Sequence, residues 1–125
     1  MRYVDGYVLP VPKKNLKEYR KMAAGASKIW RKHGALEYFE CVGDDLSPNV
    51  GGMKIVKFPK MAKAKPGETV IFAFIVYKSK AHRDRVNAKV MKDPAMNNPD
   101  WCKNNKMPFD PKRMAYGGFK AFVDL

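Results

Sequence analysis

Apolar side chains recur along this chain with two periods, and the points where one gives way to the other divide it into elements. "RYVDGYVLPV" alternates, with Tyr3, Asp5, Tyr7 and Leu9 on one side and Val4, Gly6 and Val8 on the other, and it predicts a strand stopped by Pro10 and Pro12. Leu16, Tyr19, Ala23, Ala26, Trp30 and His33 then recur at spacings of three and four, with Met22 and Ile29 widening the stripe. This predicts an amphipathic helix of about five turns, with Gly34 as its C-terminal cap. "ALEYFECVG" returns to alternation, setting Leu36, Tyr38, Glu40 and Val42 opposite Phe39 and Cys41 before a turn at Gly43-Asp44-Asp45. From 46 to 68 Pro and Gly punctuate a lysine-rich stretch in which only "MKIVKF" reads as a short edge strand or hairpin arm.

"ETVIFAFIVYKS" is apolar on both faces: Val70, Phe72, Phe74 and Val76 on one, Ile71, Ala73, Ile75 and Tyr77 on the other. A strand of this kind needs a cover on each side. Ser79 caps a second helix, "KAHRDRVNAKVMKD", which Pro94 stops. The connection 94–113 is irregular, with Trp101 expected to anchor it in the core, and "MAYGGFKAFVDL" is the last strand. Its Gly117-Gly118 pair is read as a bulge, or as a place where another backbone or a ligand comes close beside Gly6.

The order defines one α+β domain over 1–125, with a 46–68 insertion: a ferredoxin-like β-α-β-β-α-β unit whose four-stranded antiparallel sheet carries two helices on one face. Two helices cover only that face. A homodimer, with sheets packed face to face, is the expected way to cover the other.

Charge changes this picture little. Lysine and arginine outnumber aspartate and glutamate by 25 to 12, a net +13, which favours encounter with polyanions. The basic residues are interleaved with core positions, however, and no nucleic-acid-binding motif accompanies them, so specific nucleic-acid binding is disfavoured. The two cysteines, Cys41 and Cys102, form no CxxC pair and are read as inert thiols. With no run of about 20 apolar residues and no signal-peptide pattern, a soluble cytoplasmic protein without a membrane partner is expected.

Four stretches, "YVDGYV", "GALEYFECVGDD", "YKSKAHRDRVNAKVMKDP" and "MPFDPKRMAYGGF", fall in an order and at a spacing that resemble the YbaA-like family, a bacterial group of unknown function within the dimeric α+β barrel superfamily. The resemblance implies a dimer and a pocket between sheet and helices that binds a small organic molecule. Because related barrels include cofactor-independent oxygenases and isomerases, it extends to such activity, with no cofactor expected. The alternative is a noncatalytic binding or regulatory protein, RNA-associated through its basic surface.

Candidate chemistry then rests on polar side chains near the sheet and helix faces. Asp5 is a candidate general base; a structural hydrogen bond to Arg113 or Tyr116, or a place at a dimer seam, accounts for it otherwise. His33, at the end of the first helix, is a candidate acid or base or a partner of the helix dipole. Tyr7, Trp30, Asn87, Arg113 and Tyr116 are candidate ligand-binding residues. Arg83, Asp84 and Asn87 sit within one helical turn and read as a salt link on a solvated face, or, by the resemblance, as part of a dimer contact or anion site. No spacing of His, Cys, Asp or Glu suggests a metal centre.

Overall fold

The computed structural model describes residues 1–97 and 107–124, so the expected Trp101 anchor and Cys102 lie outside the described residues. The elements run β1 (Tyr3–Pro12), α1 (Leu16–Lys32), β2 (Glu37–Val42), α2 (Phe58–Met61), β3 (Glu68–Tyr77), α3 (Lys80–Lys92), α4 (Pro94–Asn97) and β4 (Ala115–Lys120). The strands form one antiparallel sheet in the order β2-β3-β1-β4, the ferredoxin-like α+β arrangement. The doubly apolar β3 is central, as its composition requires.

Both long helices lie on one face. There Tyr3, Ile75 and Tyr77 pack with Val86 and Val90 of α3, and Leu9, Val11, Ile71 and Ala73 pack with Tyr19 and Ala23 of α1. Gly34, at φ +112°, ends α1 by turning its N–H back to the Arg31 carbonyl while Ala35 reaches that of Trp30, a conformation only glycine adopts without strain. Ser79 Oγ accepts the His82 backbone N–H at 3.1 Å and starts α3.

Three expectations are corrected. β1 does not stop at Pro10 but pairs with β3 as far as Pro12↔Glu68. Beyond Val8 it has lost β4 and become an edge on that side, the setting in which proline is tolerated. "MKIVKF" adds no strand: Ile55 and Val56 are adjacent and would fall on opposite faces. Instead Pro59 opens the short α2, and Phe58 meets Phe72 edge-on at 6.3 Å. Finally, Gly117-Gly118 is not a bulge, because six consecutive pairs from Tyr3↔Lys120 to Val8↔Ala115 are unbroken.

The pair reflects close approach on both sides of the sheet. Gly118 stands opposite Asp5, where a Cβ would lie 2.7 and 2.8 Å from Cε2 and Cζ of Tyr3; Gly117 stands opposite Gly6, and both lie beneath the Phe119 ring. The face away from the helices carries Val4, Gly6, Val8, Phe39, Phe72, Phe74 and Phe119. In the single chain Phe39, Phe72 and Phe119 are 46%, 43% and 62% exposed. Phe39 stacks on Phe74 at 4.9 Å, and Phe72 meets Phe74 edge-on at 5.8 Å.

Candidate functional site

Sheet register places the polar residues of the helix-covered face. One row across the strands reads Glu40, Ala73, Tyr7, Tyr116; the next reads Tyr38, Ile75, Asp5, Gly118. Two polar centres result, one under α1 and one under α3, with Tyr7 between them.

The first centre borders a cavity. Above β2 and β3 the middle of α1 is the small-residue run Ala23-Ala24-Gly25-Ala26-Ser27, and Ala23 packs in one cluster with Ala73 of β3. Small side chains on α1 leave a space of about 440 Å³, lined by Leu16, Tyr19, Arg20, Ala23, Ser27, Val42 and Ile71. Glu40 reaches into it. Its Oε1 accepts the Tyr19 hydroxyl and its Oε2 the Tyr38 hydroxyl, each at 2.7 Å. Burial, and then the charge of Glu40, push both phenols up, so they remain proton donors at physiological pH.

The second centre is built around a buried carboxylate and reaches the surface at Tyr116. Asp5 is 0% exposed; its Oδ2 accepts the Tyr116 hydroxyl at 3.2 Å, and its Oδ1 lies 3.4 Å from Nη1 of Arg83. Arg83 Nη1 also donates to Tyr116 Oη at 2.8 Å, and the guanidinium lies 5.0 Å over the Tyr3 ring. Burial pushes the Asp5 carboxyl up, opposed first by Arg83 and then by Tyr116. Alongside, Asn87 Oδ1 accepts from Trp30 Nε1 at 3.1 Å and from the Tyr77 hydroxyl at 3.3 Å, and Tyr7 stacks on Tyr116 at 4.8 Å. Tyr7 is pushed up by burial and then by the Asp5 charge.

The structure thus gathers Asp5, Tyr7, Trp30, Asn87 and Tyr116 under α3, and places the other two candidates elsewhere. His33 pairs through Nε2 with Asp93 Oδ2 at 2.7 Å, and Lys32 Nζ joins the same oxygen at 3.2 Å. Arg113 forks onto Glu68 at 2.7 and 2.8 Å and donates to the Lys63 carbonyl. Arg83 departs from its solvated-face reading: Nε stays 3.0 Å from Asp84, but the guanidinium turns inward to Asp5 and only 15% of the side chain is exposed. Glu40, Tyr19 and Tyr38 were not singled out from the sequence. The available signal was a glutamate on the same strand face as Leu36 and Val42, opposite a helix with small residues at its centre.

Among the described residues, no cluster of three or more His, Cys, Asp and Glu could hold a metal ion, and no helix is long and apolar enough to cross a membrane. Fold and site define a single-sheet α+β protein with a cavity between its first helix and its sheet. A family model described as "Protein of unknown function (DUF1428)" matches residues 2–111, and the chain belongs to that family. The uncharacterised protein YbaA of Escherichia coli is 41% identical over 124 residues, covering 99% of each chain, and its Shigella flexneri counterpart matches to the same extent. The four-stretch resemblance therefore holds along the whole chain. The de novo designed protein Foldit4 aligns at a TM-score of 0.48 and 11% identity, covering 96% of this chain and 98% of its own.

Proposed function

We propose that the protein is a homodimer that binds a small organic molecule between α1 and the sheet. The observation that carries the binding reading is the cavity of about 440 Å³. Ligand clefts run from about 300 to 1,000 Å³, with mostly apolar walls and a few fixed polar groups. Leu16, Ala23, Val42 and Ile71 supply such walls, and Glu40, held by two tyrosines, supplies the fixed polar group. The Asp5 centre lies beside this cavity as a packed polar network, which supports a structural role for Asp5 more than a catalytic one. Oxygenase or isomerase chemistry would need a substrate to reach Tyr7 or Asp5, neither of which lines the cavity.

The exposed phenylalanines of the open sheet face support the dimer, since a contiguous apolar patch of this kind is rare on a lone soluble chain. Phe72→Lys is expected to give a folded monomer in sedimentation at micromolar concentration, where the unchanged chain sediments as a dimer. A monomeric unchanged chain would remove the dimer reading.

For the cavity the test is a metabolite screen by thermal shift, with Ala24→Leu as the control variant. Ala24 borders the cavity and is exposed, so a larger side chain fills the space without overpacking the core. A true cavity ligand raises the melting temperature of the unchanged chain and not of the variant. Equal shifts in both proteins would place binding elsewhere.

A further inference from the structure

We infer that the cavity takes a cationic ligand: an ammonium or similar N–H cation on a compact apolar body. This rests on the reading of the cavity as a binding site and specifies what it selects.

The carboxylates differ in what stands beside them. Each of the other poorly exposed ones among the described residues has a cation: Asp5 has Arg83, Glu68 has Arg113, and Asp93 has Lys32 and His33. Glu40 has none among the described residues, although the chain carries 25 lysines and arginines. Arg20 borders the same cavity without pairing with it. What Glu40 has instead is a pair of neutral phenols, one on each oxygen, which orient the carboxylate but leave its charge uncompensated.

A partly desolvated carboxylate without a counter-charge is costly, and a cation that arrives with a ligand removes that cost. Each carboxylate oxygen accepts more than one hydrogen bond, so the tyrosine contacts leave room for a ligand N–H. Apart from Ser27 and Arg20 the remaining wall, Leu16, Ala23, Ala24, Val42 and Ile71, is apolar and calls for an apolar body. At interior packing density the space holds on the order of 15 non-hydrogen atoms. A carboxylate ligand would instead meet Glu40 as a like charge.

The test uses the full chain and two matched series: tryptamine, tryptophol and indolepropionate; adamantylmethylamine, adamantylmethanol and adamantanecarboxylate. Binding near neutral pH is read by saturation-transfer NMR titration and thermal shift. The amine of at least one series is expected to bind tenfold or more tighter than its alcohol and acid, the scale of a charge-assisted contact. Glu40→Gln keeps the shape, and thus the fold, and is expected to erase that advantage. Tyr38→Phe keeps the charge and is expected to preserve the preference at lower affinity. Alcohols or acids that bind as well as the amines would overturn the cationic class while leaving a binding cavity in place. An amine advantage that survives Glu40→Gln would also overturn it, because the cation would then be held elsewhere. Absence of binding by every member of both series would overturn this inference and the cavity reading together.

Discussion

Adding one methyl group to each of two adjacent glycines should have opposite consequences. In Gly118→Ala the new Cβ points to the helix side and would sit 2.7 and 2.8 Å from ring atoms of Tyr3, closer than real Cβ atoms come. Tyr3 cannot swing away freely: it is only 8% exposed, packed in the cluster with Ile75, Tyr77, Val86 and Val90, and its ring lies under the Arg83 guanidinium. Overpacking of this kind costs about 1–3 kcal/mol, and loss of the Arg83 contact about 0.5–1 kcal/mol more. At about 4 °C per kcal/mol for a chain this size, the melting temperature should fall by about 6–16 °C. In Gly117→Ala the Cβ meets only Phe119, at an ordinary 3.7 Å, and the stiffer unfolded chain offsets the contact, so the expected change is within about 2 °C. The assay is thermal unfolding by circular dichroism over a range of protein concentrations. Gly117 lies on the open face proposed to carry the dimer, so any loss there should depend on protein concentration, whereas the Gly118 loss should not. Equal losses at both positions, or a tolerated Gly118→Ala, would refute the packing account.

Two further perturbations probe the polar network. Arg83→Met leaves Asp5 buried without its cation and should cost about 3 kcal/mol in urea unfolding, whereas Asp84→Asn, at an exposed partner, should change stability by less than about 0.5 kcal/mol; similar effects would mean that the inward turn of Arg83 contributes nothing. His33, then the Ala95 N–H and Lys32, lower the Asp93 carboxyl to about 2, and Arg113 lowers Glu68 to about 2. Both folded values lie below the unfolded ones, so their stabilisation is present above the ordinary carboxylate range and is lost as pH falls from about 4 towards 2. Asp93→Asn should lower the melting temperature at neutral pH and flatten the acid limb; an unchanged limb would count against these pairs.

The fold was legible because period and composition agreed element by element. Alternation in β1 and β2, the three-and-four stripe from Leu16 to Trp30, and a third strand apolar on both faces leave few topologies other than a four-stranded sheet with β3 inside. The Asp5–Tyr116 bond was among the expected partners because the last strand had to lie beside the first, and register then sets Tyr116 diagonally from Asp5. Arg83 was harder to place. Helical spacing puts it near both solvent and sheet, and only the packed depth of α3 decides that the guanidinium turns inward. The cavity was the least legible feature. Its space lies over small residues of α1, Ala23, Ala24 and Ser27, each of which alone reads as an ordinary helix residue.

The most direct measurement is a titration of the isotope-labelled full chain with tryptamine and, separately, adamantylmethylamine, each followed by amide chemical-shift changes. The account predicts shifts concentrated in α1 at Tyr19, Ala23 and Ser27 and in β2 at Tyr38 and Glu40, abolished in Glu40→Gln. Shifts centred on Phe39, Phe72 and Phe119 of the open sheet face, or the same α1 and β2 shifts in Glu40→Gln, would contradict it.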